Sequence, residues 1–142
     1  MATAQRNSTS ARPSSRVQQN RSQGNNARDR ANTYIGGQTE QYRSTSLGGR
    51  FYDILRGTQA FEIKTGRISL TSSIRQQVMK DAQLLQSQEV TSVTWVFYRS
   101  AQTGQIGPTA PLRALLERSG ITVVIRASTG VRGAAGGVQR AV

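Results

Sequence analysis

The chain has 142 residues, enough for one modest domain, and its 19 Lys and Arg residues against 7 Asp and Glu give a formal net charge of +12. This excess favours a polyanionic partner such as nucleic acid, because each phosphate contact releases counterions, although a solvated basic surface or membrane-surface affinity is the alternative. The absence of Cys and His excludes disulfides, thiolate or imidazole metal ligands and His-dependent catalytic triads. Any chemistry must therefore use carboxylates, Lys, Arg, Tyr or hydroxyl groups.

Residues 1–46 consist largely of Arg, Ser, Gln, Asn, Thr and Gly, with few large aliphatic side chains. Such a segment buries too little apolar surface to offset its loss of conformational entropy, so we predict that it is disordered. It carries seven Arg against two acidic residues, which suits either a nucleic-acid-binding arm or a linker, and we favour the linker. We expect neither a signal peptide nor a membrane-spanning segment, because long apolar stretches are absent.

Two strands joined by a tight turn are predicted at the start of the folded region. Residues 50–56 (RFYDILR) and 59–65 (QAFEIKT) are rich in β-branched and aromatic residues. Gly57 and Thr58 between them suit a two-residue type II′ turn, and such a turn fixes the register of the hairpin.

The rest of the folded region alternates helices and strands. We predict a helix over 73–87 with Thr71, Ser72 or Ser73 as its N-cap, a strand over 92–98, a break from Gly107 to Pro111, a helix over 112–118 and a buried strand over 121–125. The order β-β-α-β-α-β describes a small α/β domain over residues 47–127 with a mixed sheet, because hairpins pair antiparallel and helical crossovers pair parallel. Residues 128–142 are predicted to be a flexible tail.

The predicted register places two carboxylates opposite each other. Asp53 faces Glu62, and the alternation of side chains adds Lys64 to the same face. The other face, predicted to pack in the core, consists of Tyr52, Ile54, Phe61 and Ile63. Opposed carboxylates repel each other, but a Mg²⁺ ion between them makes the arrangement favourable, because each carboxylate is then attracted to the cation. Lys64 beside them can then hold a water molecule or stabilise negative charge on a phosphate. The alternative is an ordinary surface hairpin in which Lys64 neutralises Glu62.

Asp53, followed after eight residues by Glu62-Ile63-Lys64, resembles the PD-(D/E)XK motif of restriction-endonuclease-like nucleases. The longer sequence resembles the toxin domains of this fold at the C-termini of bacterial polymorphic and contact-dependent toxins. The matching segments are RFYDILRGTQAFEIKTG, IRQQVMKDAQLL, VTWVFYRSAQTGQIGPTAPL and GITVVI. Tyr52 stands where the motif has Pro, and residues 27–47 carry little signal for the helix that precedes the first strand in that fold.

The resemblance implies a restriction-endonuclease-like fold and a metal-dependent endonuclease, in which Asp53 and Glu62 bind Mg²⁺ or Mn²⁺ and Lys64 serves catalysis. It also implies DNA or RNA as substrate, the cytoplasm of a producing or target bacterial cell as the place of action, and an acidic immunity protein as partner. The choice between DNA and RNA stays open, as does a homodimer that completes the cleft. The alternative function is a nucleic-acid-binding or structural protein without catalysis on the same scaffold.

The helix predicted over 73–87 follows the hairpin directly and should pack near it. Its apolar face carries Ile74, Val78 and Leu85, and Asp81 lies near the middle of that face. Gln77, near one edge of that face, is predicted to complete the active site, with a half-exposed structural position as the alternative. Asp81 either orients Lys64 or an arginine, or pairs with a buried group, because an unpaired buried carboxylate is costly.

Other candidates contact substrate less directly. We predict phosphate contacts for Arg67, Arg75, Lys80 and Arg99. Trp95 is expected in the core rather than against a base, because apolar residues occupy both faces of its strand. The SAQTGQIGPT loop after that strand either lines a substrate cleft or only connects two elements.

Overall fold

A mixed sheet with helices on both faces forms the part of the chain that the computed structural model describes, which is the backbone of residues 15–127 and the side chains from residue 25 onward. The elements in chain order are α1 (Ser15–Ile35), β1 (Gln38–Thr45), β2 (Gly48–Arg56), β3 (Gln59–Thr65), β4 (Arg67–Ile68), α2 (Ser72–Gln86), β5 (Ser92–Tyr98), β6 (Gly107–Pro108), α3 (Ala110–Arg118) and β7 (Thr122–Arg126). Within this part, no helix is long and apolar enough to span a membrane.

Five strands form the main sheet in the order β1-β2-β3-β5-β7. The first three pair antiparallel, and β3, β5 and β7 pair parallel. The short strands β4 and β6 form a separate parallel pair. The mixed α/β sheet predicted from the sequence is therefore confirmed, and α1, β1 and the β4–β6 pair are additions to it.

Two apolar clusters hold the helices against opposite faces of the sheet. On one face, α2 and α3 bury Val78, Leu84, Leu112, Leu115 and Leu116; on the other, α1 buries Ala27, Ala31 and Ile35. Strand β5 contributes to both, with Trp95 and Phe97 on the α2 face and Val96 and Tyr98 on the α1 face. The prediction that Trp95 belongs to the core is confirmed, since it is 0% exposed.

The ends of the helices follow local capping chemistry. Helix α2 is capped by Thr71, whose side chain accepts a hydrogen bond from the backbone N–H of Ile74 at 3.1 Å. Helix α3 begins at Ala110 and contains Pro111 in its first turn. The break predicted through Pro111 is therefore too long, because proline lacks only an N–H that the first turn does not use.

The hairpin of β2 and β3 has the predicted register over the three pairs nearest the turn, but the predicted pair of Asp53 with Glu62 lies beyond the end of the ladder. Ile54 pairs with Phe61, Leu55 with Ala60 and Arg56 with Gln59. Gly57 has a φ of 62°, the positive value that the first position of a type II′ turn requires. Strand β7 departs more from its prediction: it lies at the sheet edge and is partly exposed, not buried.

Ordered structure begins well before residue 47. Helix α1 and strand β1 occupy residues 15–45 of the segment predicted as a disordered arm. Over residues 25–35, where its side chains are described, the buried stripe of α1 consists of Ala27, Ala31 and Ile35, three apolar positions spaced by four among polar residues. Residues 1–14 and the predicted tail, 128–142, lie outside the described residues.

Candidate active site

Asp53 lies at an irregularity in strand β2. The β2–β3 ladder ends at Ile54 and Phe61, and beyond it the Asp53 Oδ2 accepts a hydrogen bond from the backbone N–H of Ile63 at 2.8 Å. Tyr52 packs on the α2 face and Ile54 on the α1 face, so the alternation of side chains shifts at Asp53, as at a β-bulge. The prediction that Tyr52 shares a face with Ile54 is wrong for this reason.

Glu62, Lys64 and Gln77 meet on the α2 face of the sheet. The Lys64 Nζ lies 3.0 Å from the Glu62 Oε2 and donates a hydrogen bond to the Gln77 Oε1 at 3.0 Å. It also lies 5.0 Å from the centroid of the Trp95 ring. The structure thus brings together the lysine, the glutamate and the helix residue that the sequence singles out.

Asp53 and Glu62 are coupled electrostatically although the ladder does not join them. Burial, followed by the negative charge of Glu62, raises the pKa of Asp53 to about 7, against the lowering effects of the Ile63 N–H and of Lys64. A carboxyl group with this pKa is protonated in a large fraction of molecules at neutral pH. A cation between the two carboxylates would offset the repulsion that, together with burial, keeps the proton bound.

One oxygen of Glu62 lacks a hydrogen bond. Glu62 is 7% exposed, and its Oε1 is buried without a hydrogen-bond partner, since Arg50 Nη2 approaches it only to 3.4 Å. Within the described residues, three or more acidic side chains do not converge on one point. The donor set fits a hard cation such as Mg²⁺, which takes one or two carboxylates and completes its shell with water and substrate oxygens.

A buried ion-pair network beside the carboxylates was not predicted in full. Asp81 is 0% exposed and accepts hydrogen bonds from Arg50 Nε at 2.8 Å, Arg50 Nη2 at 3.2 Å, the Tyr52 hydroxyl at 2.7 Å and Trp95 Nε1 at 2.9 Å. Burial and the charge of Asp81 raise the pKa of Tyr52, so its hydroxyl stays a donor. Asp81 therefore pairs with an arginine, Arg50, and Arg50 links Asp81 to Glu62.

Arg50 is a site residue that the sequence reasoning missed. In the sequence, Arg50 is simply a charged residue on a strand, two positions before Tyr52, and charged residues are common on exposed strands. Its burial at 5% exposure depends on Asp81, 31 residues away. A pair of this separation becomes visible only when the sheet and α2 are packed.

The four residues predicted to contact phosphate fall into two groups. Arg67 on β4 and Arg75 on α2 are exposed. Lys80 donates to the Gly49 carbonyl at 3.0 Å, and Arg99 donates to the carbonyls of Ala127 at 3.1 Å and Gly104 at 2.9 Å. Arg67 and Arg75 are therefore accessible to a ligand, whereas Lys80 and Arg99 donate hydrogen bonds to backbone carbonyl groups of the chain itself.

No protein-family model, no curated protein and no solved structure matches the chain.

Proposed function

We propose that this chain is a metal-dependent nuclease of the PD-(D/E)XK type, which hydrolyses phosphodiester bonds of DNA or RNA. Asp53 and Glu62 would hold Mg²⁺ or Mn²⁺. The observation that carries the proposal is the buried Glu62 Oε1, which has no hydrogen-bond partner beside a second carboxylate whose pKa is raised to about 7. Without a cation, the cost of burying the two carboxylates is offset only in part, by the charges of Lys64 and Arg50 and by the Ile63 N–H.

The bound cation would supply positive charge against the phosphate oxygens and lower the pKa of a coordinated water. Lys64 is suited to stabilise negative charge that develops on the phosphate, because its ammonium group is fixed in place. Glu62 and Gln77 each hold its Nζ at 3.0 Å. A donor fixed before the substrate binds requires little reorganisation during the reaction.

The order of the elements supports the proposal that the fold is of the restriction-endonuclease-like type. Helix α1 precedes the strands, so the chain has a helix at the place where the restriction-endonuclease-like fold carries one. The proposed role is that of a toxin domain acting in the cytoplasm of a producing or target bacterial cell. An acidic immunity protein is its proposed partner, since the net charge is +12 and an inhibitor of a basic cleft is usually acidic.

The test compares cleavage of plasmid DNA and of tRNA by four proteins, in Mg²⁺ and in EDTA. The variants are Glu62→Gln, Lys64→Met and, as a matched control, Glu89→Gln, whose carboxylate is exposed. We expect Mg²⁺-dependent cleavage by wild type and Glu89→Gln, and a loss of at least about 100-fold in the other two. Circular dichroism of each variant checks that it is folded.

Equal cleavage by Glu62→Gln, Lys64→Met and wild type would refute the assignment, as would full activity in EDTA. Titration with Mn²⁺ alone gives a readout that does not need the right substrate. We expect Glu62→Gln to bind Mn²⁺ at least about tenfold more weakly than Glu89→Gln does. Salt-sensitive nucleic-acid binding without cleavage, and without Mn²⁺ binding, would instead indicate a non-catalytic binding protein.

A further inference from the structure

The C-terminal ends of the three parallel strands align a second group of polar residues. Thr65 on β3, Tyr98 on β5 and Arg126 on β7 are neighbours in register. Tyr98 belongs to the apolar cluster beneath α1, so its side chain lies on the sheet face opposite to Trp95, Lys64 and Gln77. This group is therefore separated from the carboxylate site by the sheet itself.

Two hydroxyl groups in this row are unsatisfied. Tyr98 is 4% exposed, and its hydroxyl oxygen has no hydrogen-bond partner. The Thr65 Oγ1 is likewise buried without a partner. Among the described side chains, the third such atom is the Glu62 Oε1, so unsatisfied polar atoms are confined to the carboxylate site and this row. Buried polar groups without partners are rare and costly, so these hydroxyl groups are candidates for contact with a ligand or with water.

Two guanidinium groups surround the Tyr98 ring. The Arg126 guanidinium carbon lies 5.8 Å from the ring centroid, and that of Arg30, on α1, lies 6.0 Å from it. Arg126 also lies 5.4 Å from the ring of Tyr34. Contact with the rings explains why the cations lie there, but it leaves the Tyr98 hydroxyl without a partner.

The protonation state of Tyr98 suits a hydrogen-bond donor. Burial raises its pKa, and the charges of Arg126 and then Arg30 oppose this only in part. The hydroxyl therefore keeps its proton at neutral pH. An oxyanion beside the Tyr98 hydroxyl would accept its O–H and would lie near the positive charges of Arg126 and Arg30, a combination that suits a phosphate group.

We infer that Arg30, Tyr98 and Arg126 form a binding site for a phosphate-type oxyanion, on the sheet face opposite to the carboxylate site. The ligand is either free phosphate or a phosphodiester group of nucleic acid, since both present the same oxygens. Arg30 is exposed and Arg126 is partly exposed, so a ligand can approach both guanidinium groups from solvent, and contact with the buried phenol oxygen requires a local movement of the side chains around it. The inference goes beyond the nuclease proposal and does not depend on it.

The first test measures thermal stability in EDTA, in chloride and in phosphate buffers of equal ionic strength. The variants are Tyr98→Phe and Arg126→Gln, with Arg118→Gln as the control that removes one exposed charge from α3. We expect phosphate to raise the Tm of wild type and of Arg118→Gln, but not that of the other two. In chloride, Tyr98→Phe should be at least as stable as wild type, because it removes a hydroxyl that has no partner.

The second test separates the two ligands. Binding of inorganic phosphate and of a fluorescent single-stranded oligonucleotide is titrated in EDTA. We expect Tyr98→Phe and Arg126→Gln to bind at least one of the two about tenfold more weakly than Arg118→Gln does. Loss for the oligonucleotide identifies a phosphodiester ligand, and loss for phosphate alone identifies free phosphate; either result supports the site.

Two results would overturn the inference. One is equal binding of both ligands by all four proteins, which would reduce the row to a structural cluster. The other is a Tyr98→Phe variant that is less stable than wild type in chloride, because its hydroxyl would then have a partner. Neither result depends on metal or on cleavage, so failure of this site and failure of the proposed nuclease activity are distinguishable.

Discussion

Asp53 has two roles that one carboxylate rarely combines. Its Oδ2 accepts the Ile63 N–H and so joins β2 to β3 where the ladder stops. Its pKa is raised to about 7 from an ordinary value of 3.8. The folded protein therefore keeps a proton on Asp53 at pH values where the unfolded chain has released it.

This difference determines how stability depends on pH. A raised carboxyl pKa contributes stability that is fully present below the unfolded value and is lost as pH rises through the folded value. For Asp53 the loss falls between about pH 4 and pH 7. Asp53→Asn keeps an acceptor for the Ile63 N–H but cannot ionise. In EDTA, its Tm should therefore gain on that of wild type as pH rises from 5 to 8, by on the order of 5 °C.

Thermal unfolding of both proteins at the two pH values checks this expectation, with Glu89→Gln as the control for loss of an exposed carboxylate. A Tm difference between Asp53→Asn and wild type that is the same at pH 5 and pH 8 would contradict it. The same variant should also lose cleavage, because a neutral amide is a poor ligand for Mg²⁺.

Single residues also show what sequence can and cannot predict. The sequence predicts that Lys64 and Gln77 lie close together, because side-chain periodicity defines which face of the strand and which face of the following helix can meet. The sequence does not predict Arg50 and Tyr52 at the site, because the sheet face on which their side chains lie depends on the shift in alternation at Asp53. At that position the Asp53 side chain accepts a backbone N–H, a contact that no hydrophobic pattern records.

At the scale of elements, the hairpin, α2 and β5 were predictable and α1 was not. The first three have strong periodicity, good turn residues or a clear N-cap. Among its described side chains, helix α1 buries Ala27, Ala31 and Ile35, and two of these are too small to distinguish the helix from a polar linker. Its order depends on packing against the sheet, in agreement with the rule that tertiary contacts supply most of a helix's stability.

The docking of α1 gives a direct prediction. Ala31 is 1% exposed, so Ala31→Asp forces a carboxylate into the cluster beneath α1 and should lower the free energy of unfolding by about 2–4 kcal/mol. Thr33→Asp adds the same group at an exposed position of the helix and should change it by less than about 0.5 kcal/mol. Urea unfolding followed by Trp95 fluorescence measures both, and equal effects would show that α1 is not docked.

At the scale of the whole molecule, charge sets the expected behaviour towards nucleic acid. With a net charge of +12, binding to an oligonucleotide in EDTA should weaken steeply with salt. Residues 1–14 contain Arg6 and Arg12. If this segment contacts the phosphate backbone of the nucleic acid, its deletion should reduce the slope of the logarithm of the binding constant against the logarithm of the salt concentration by about 1–2.

Fluorescence anisotropy at several salt concentrations measures the slope for the full chain and for the chain without residues 1–14. The exposed Arg118→Gln variant controls for loss of charge on the folded domain. An unchanged slope after the deletion would assign the whole polyanion contact to the folded part, and would favour the linker interpretation for these first residues.

The contacts between the hairpin and α2 would also determine when the proposed activity can appear during folding. Lys64 meets Gln77, and Arg50 meets Asp81, only after α2 has docked against β2 and β3. A hairpin formed early holds Asp53 and Glu62 but lacks the contacts that fix Lys64 and Arg50. A partly folded chain would therefore hold the two proposed metal ligands without the contacts that fix Lys64 and Arg50, and the proposed activity would appear only once α2 has docked.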